Sequence, residues 1–329
     1  MEALLDSKWA QLVFGVLLLL AVVALLFAIA RLADRLQNMK ARQAITLAVF
    51  AGPALLFVTV GLIYPAIRTF VMSFMDRRAE KFVAFDNYQW LLTADLAQKS
   101  FVNTFWWVIM VPILATGIGL LYAILVDKTR FEKWAKSLLF MPMAISFVGA
   151  GIIWKLVYEY KGPAFEQLGL ANAIIVAVGG QPVRFLQDAP WNTFFLIVVM
   201  IWIQAGFAMV LLSAALKAVP DDIIEAARLD GVNAWQMFRN ITIPSIRPTL
   251  VVVLTTIIIA SLKIFDITKT MTGAKFDTQV LANVMYDETF TNGNNGTGSA
   301  AAVAIFVLVI PVVGYNIRQM MKNREVRGA

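Results

Sequence analysis

The 329-residue chain contains no histidine and no cysteine. It therefore lacks the side chains that most often move protons near neutral pH, hold zinc or haem, or act as thiolate nucleophiles. What remains with chemical capacity is hydrogen bonding, aromatic contact and charge. Asn103 and Trp107 stand four residues apart, as do Trp154 and Tyr158, with Ser146 two helical turns before Trp154 and Gln204 near the middle of an apolar run. Amides and hydroxyls beside flat rings in an apolar wall suit a neutral, hydroxyl-rich solute. An interfacial belt or plain packing is the stronger reading of the aromatics, with Trp106 and Trp191, and interhelical hydrogen bonding is an equal alternative for Ser146 and Gln204. Lys263 and Asp266, three apart, read as an ion pair at one helix end. With no paired acids inside the apolar runs, catalysis is not the expected role, and neither a metal site nor a cofactor is expected in the chain.

The elements that position these residues are set by hydropathy. Hydrophobic residues make up 60% of the chain and charged residues 15%, a composition outside the soluble range. Residues 9–30 carry no charge over a length that crosses the hydrocarbon core as a helix. A secretory signal is the rival reading, from Ala28-Ile29-Ala30. Glu2 and Asp6 lie ahead of the run, while Arg31, Arg35, Lys40 and Arg42 follow it, so a retained span is expected. Further spans are expected at 46–74, 101–126, 137–158, 191–216, 249–268 and 300–317. This predicts an all-α integral membrane protein with seven transmembrane helices. Residues 1–43 form an additional span with a basic connector, 44–321 the main transmembrane domain, and 322–329 a tail. Ala171–Val178 is too short to span, and 291–299, TNGNNGTGS, reads as a flexible loop.

Alternate connectors differ in charge. Residues 31–43, 127–136, 217–247 and 318–329 hold sixteen Lys and Arg, against nine in the longer alternate set. The positive-inside rule then places the N-terminus outside and the C-terminus in the cytoplasm. The net charge of +7 is explained by these flanks, with no basic patch for nucleic acid. No phosphate-cradling G-x-x-x-x-G-K-[ST] loop occurs, so nucleotide hydrolysis is not expected of this chain.

Between the fifth and sixth spans lies a soluble-looking segment, 219–248. Pro220, Asp221 and Asp222 predict a helix start, Gly231 a left-handed stop, and Asn233 with Gln236 a second start, with Pro244 and Pro248 closing that second helix. Glu225-Ala226-Ala227, Gly231, Ile241 and Pro244 stand in the register of the EAA loop, and the segment resembles that of permease subunits of ATP-binding-cassette importers. Phe85-Asp86-Asn87-Tyr88, Asn103-Thr104, Leu139-Phe140-Met141-Pro142, Phe265-Asp266 and Met271-Thr272-Gly273 are similar to the carbohydrate-importing branch. The chain departs from it at Ala274-Lys275, where many such permeases continue Gly-Gly-Pro.

The resemblance implies a cytoplasmic coupling hairpin in which Glu225, Ala226, Ala227, Gly231 and Pro244 engage a separate ATPase. It implies half of a pathway for a neutral di- or oligosaccharide in a prokaryotic cytoplasmic membrane. The implied partners are a second permease subunit, two ATPase subunits that use ATP and Mg, and an extracytoplasmic sugar-binding protein. An ion-coupled secondary transporter is the alternative, and an amphipathic loop resting on headgroups is the alternative for the hairpin.

Overall fold

The computed structural model describes residues 7–33, 38–127 and 129–328, except the side chains of 33, 320 and 322–328. Readings that rest on Glu2, Asp6, Arg35 and Lys128, or on the side chains of the 322–329 tail, lie outside the described residues. The described residues are nearly all helical, with one isolated bridge, Met75 to Phe82. The chain divides into two compact units, Met1–Thr69 and Phe70–Ala329.

In the first unit α1 (Lys8–Ala33) packs on α2 (Met39–Val58), with Phe27 and Phe50 in edge contact at 5.7 Å. Asn38 caps α2, its Oδ1 accepting from the amides of Lys40 and Ala41. A π turn, Thr59–Ile63, leads into α3 (Tyr64–Met72), and Met39–Met72 together is long and apolar enough to span.

The second unit is built on α5 (Asp95–Val126) and α9 (Trp191–Lys217). Gly119 of α5 faces Ala208 and the Met209 amide so closely that a Cβ there would lie 2.7 Å from each. Around this crossing Trp107, Val111, Leu196, Ile197 and Met200 are fully buried. Short α4 (Asp86–Thr93) is clamped to the preceding turn. Asn87 Nδ2 donates to the Ser73 and Met75 carbonyls at 3.0 and 2.7 Å, and the Tyr88 hydroxyl meets Ser73 Oγ at 2.6 Å. The Phe85–Tyr88 motif is thus a structural fastener.

Among the described residues six helices are long and apolar enough to cross a membrane, or seven if one bent pair forms a single span. That pair corrects the continuous helix expected over 137–158. It consists of α6 (Glu132–Phe140) with a 3₁₀ turn at Met141–Ala144, then α7 (Phe147–Val157), bent by 102°. Pro142 tightens the end of the first helix, Ile145 and Ser146 are extended, and Ser146 Oγ accepts from the Gly149 amide at 3.1 Å to start the second. Gly206 makes room for the break, because any side chain there would collide with the Leu139 carbonyl.

Three further expectations change. The hairpin's second helix is not closed by Pro244 and Pro248. From Ala234 the chain runs helically through α11 (Ala234–Gln236), a π segment Met237–Thr242 and α12 (Ile243–Leu262). Pro244, which has no backbone donor, follows closely on the π segment, where the helical hydrogen-bond pattern shifts register, and the helix continues across it. The sixth span therefore ends at Leu262. Lys263 leaves helical geometry and Asp266 opens α13 (Asp266–Thr272), so the two share no helix. Finally, 291–299 is not a loose loop. After α14 (Leu281–Tyr286) and a π turn, Asp287–Thr291, the segment enters α15 (Asn295–Gly328). Gly296 is pressed against Met75 and Asn87, and Gly298 against Thr289, so these glycines serve close packing.

Ala171–Val178 corresponds to the short α8 (Leu170–Ala177).

Candidate functional site

Side-chain bonds divide the second unit into two poles. At one, Asn103 on α5 donates to the Asp277 and Gln279 carbonyls, Asn192 on α9 donates to Phe276 O, and Thr297 meets Asn87. The connectors 75–100, 159–190 and 266–298 therefore gather at that end. At the other pole the end of α5, the start of α6 and the end of α9 meet in a charge cluster. Lys136 contacts Glu132 at 2.6 Å and Asp127 at 3.7 Å, Lys217 contacts the same two acids, and Lys136 reaches Ser213 Oγ. With side chains of Asp127, Glu132 and Lys136 about one-fifth exposed, the cluster is partly desolvated, so its attractions are weakly screened.

The 219–248 segment grows from this second pole. Helix α10 (Asp221–Leu229) places Asp221 and Asp222 in its first turn, after Pro220 at the cap. It ends in a Schellman motif: the Val232 amide donates to Ala227 O, the Gly231 amide to Arg228 O, and Gly231 adopts φ +74°. A reciprocal capping box follows, Asn233 Oδ1 accepting from the Gln236 amide and Gln236 Oε1 from the Asn233 amide, both at 2.9 Å. Both ends of the turn are therefore fixed by local bonds. Glu225, Ala226 and Pro244 face outward and Ala227 is buried, while Ile223, Leu229 and Trp235 are exposed. Beneath the hairpin lies a cleft of about 700 Å³ bounded by Ile124, Leu216, Met237 and Phe238.

The polar residues singled out above fall into three places. Ser146 and Gln204 come together in a cleft of about 380 Å³ at the α6–α7 break, joined by Phe207 and Thr256; no charged residue among those described lines it. Trp154 and Tyr158 form an aromatic cluster, their rings 5.1 Å apart, with Trp202, Phe185 and Phe195 against them. Tyr158 is buried, its hydroxyl 3.4 Å from Phe195 O, and it borders a different cleft at the first pole. Asn103 and Trp107 lie in the α5 core. The Asn103 amide is occupied by two carbonyls, and the buried Trp107 Nε1 has no acceptor among the described residues.

Phe207 and Thr256 were missed from sequence. Phe207, three residues after Gln204, shares its helical face and was legible by spacing; Thr256 becomes a neighbour only through tertiary packing.

A polytopic helical unit with a broken helix around an uncharged mid-bundle cleft, and a rigid polar hairpin at one pole, is the architecture of a membrane transport component. Residues 95–326 match the family described as binding-protein-dependent transport system inner membrane component, and the chain belongs to it. It is 46% identical to the alpha-glucoside transport system permease protein AglF of Rhizobium meliloti (strain 1021), over 87% of this chain and 86% of that protein. It is 47% identical to the osmoprotective compounds uptake permease protein GgtC of Synechocystis sp., over 84% of this chain and 100% of that one. A bacterial alginate ABC transporter, solved in complex with an alginate pentasaccharide-bound periplasmic protein, contains a chain of the same fold. Its TM-score is 0.73 at 20% identity, covering 84% of this chain and 94% of that chain. Family membership sets aside the ion-coupled alternative.

Proposed function

We propose that this chain forms half of the pathway by which an ATP-driven importer carries a neutral di- or oligosaccharide, with the cleft at the α6–α7 break as its passage. The observation that carries the reading is the lining of that cleft: Ser146, Gln204 and Thr256 offer hydroxyls and an amide, Phe207 a ring face, and there is no charge. Neutral hydroxyls need hydrogen bonds alone, whereas a carboxylate or phosphate left unpaired in low dielectric costs several kcal/mol. Trp154 and Tyr158 stand farther along the route, while Asn103 and Trp107 support it from behind. The relative named for alpha-glucosides agrees with a neutral saccharide cargo.

In this reading the 219–248 hairpin is the cytoplasmic coupling element. Glu225, Ala226 and the exposed Ile223 and Trp235 meet an ATPase subunit, with Gly231 and Pro244 setting the hairpin's angle, and a second permease completes the pathway. A rigid turn suits the task, since motion reaches the membrane helices only through a connection that does not stretch. The cluster of Asp127, Glu132, Lys136 and Lys217 ties the hairpin root to the broken helix. The pole bearing the hairpin is cytoplasmic and the opposite pole receives the cargo.

The pathway is tested with Gln204→Leu and Phe207→Ala in the whole complex. Each is expected to raise the cargo concentration for half-maximal uptake about tenfold, the scale of losing one well-placed polar or ring contact, with ATP hydrolysis stimulated by the unloaded partner unchanged. Unaltered uptake in both variants removes the cleft from the pathway.

A further inference from the structure

At the first pole a cleft of about 450 Å³ opens between the end of α7, residues 184–187 and the loop after α13, lined by Lys155, Arg184, Lys269 and Lys275 against one acid, Glu159. The second unit's connectors at this pole hold eight Lys and Arg against twelve in the alternate set, so three of them, Arg184, Lys269 and Lys275, meeting Lys155 in one cleft do not follow from composition. Lys269 is neutralised by Asp287 at 2.6 Å. Lys155 and Lys275 are exposed and make no ion pair among the described residues. Arg184 lies over the Tyr160 ring at 5.3 Å; hydrogen bonding to Tyr160, then nearby Asp188, holds it above its ordinary value.

The rim is held in an unfavourable backbone. Ala274, Phe276 and Asp277 adopt φ of +57°, +56° and +58° beside Gly273 at +68°. For Ala274 and Phe276 this left-handed geometry is strained, and such strain clusters where a surface is shaped for a ligand. Buried amides enforce it: Asn192 Nδ2 donates to Phe276 O at 2.7 Å and Asn103 Nδ2 to Asp277 O at 2.7 Å, while Lys99 reaches the Asp277 carboxylate at 3.1 Å. The result is a fixed loop that presents Lys275 and Phe276 at the cleft mouth.

We propose that this cleft seats a carboxylate-bearing loop of the solute-binding protein, with Lys155, Arg184 and Lys275 pairing its acids and Phe276 giving an apolar contact at the rim. The inference rests on the functional reading above, which places this pole outside. A neutral cargo gives Lys155 and Lys275 nothing to neutralise. A protruding acidic loop fits a concave, cation-lined site of this size. Exposed charges of this kind act on encounter and are screened by salt.

The test uses the full complex in zwitterionic-lipid vesicles, with the solute-binding protein that co-purifies with it, comparing wild type with Lys155→Gln/Lys275→Gln. The expected result is about a tenfold rise in the binding-protein concentration for half-maximal ATPase stimulation at low salt, with an unchanged plateau rate. The difference shrinks as salt is raised. Equal response of variant and wild type at every salt overturns the cleft assignment alone. A difference that appears only when anionic lipid is present makes it a lipid site and overturns the proposal. Absence of any stimulation in wild type overturns the functional reading and the assignment together.

Discussion

Asn103 and Gln204 look alike in sequence, each a single amide in an apolar run, and the structure gives them different work. Asn103 donates to two backbone carbonyls of the strained 277–279 segment, whereas Gln204 lines an open, uncharged cleft. Asn103→Leu leaves two carbonyls without a donor and is expected to cost about 1–3 kcal/mol, read as a lower unfolding midpoint of the purified subunit in detergent. Gln204→Leu is expected to leave that midpoint within error. If both variants melt alike, the division between support and pathway is wrong. Gly231 is a sharper case, because its φ of +74° lies where proline cannot go. Gly231→Pro and Glu225→Lys are each expected to leave the chain inserted while abolishing receptor-stimulated ATP hydrolysis. Normal hydrolysis in both would show that 219–248 is not the coupling element.

The elements most legible in the sequence were those whose ends are marked by local chemistry. Pro220, Gly231, and Asn233 with Gln236 each appear as a helix boundary or cap within a residue of the expected place, because capping depends on neighbours in sequence. The break in α6–α7 was not legible, since Leu139-Phe140-Met141-Pro142 is as apolar as a continuous span. The accommodation comes from Gly206, more than sixty positions away. The 291–299 segment failed for a related reason: glycines that signal a loop by composition were needed for contact with Met75, Asn87 and Thr289. The charge cluster was likewise invisible, since Asp127 and Lys217 meet only through the α5–α9 crossing. It leads to a prediction for the element it anchors. Glu132→Gln weakens the contacts with both Lys136 and Lys217, and solute moved per ATP hydrolysed is expected to fall about fivefold. An unchanged ratio would make the cluster a static brace.

At the scale of the whole molecule, connectors that alternate along the chain gather at two poles of the second unit, and the proposed reading puts the hairpin pole in the cytoplasm, as the positive-inside rule expects from the basic residues of its connectors. The absence of native cysteine makes this testable without background. Ser7→Cys and Lys81→Cys are expected to react with a membrane-impermeant thiol reagent on intact cells, and Thr129→Cys and Leu229→Cys to react only after lysis. The reverse pattern would put the hairpin outside. The central claim, an ATP-driven pathway for a neutral saccharide, meets its most direct test in the complex purified with its partner subunits and reconstituted in vesicles. ATP-dependent accumulation of a labelled α-glucoside should require the solute-binding protein and should be competed by unlabelled trehalose or maltose, but not by glycine betaine, amino acids or organic phosphates. Accumulation of a charged solute in place of every neutral saccharide would contradict the account.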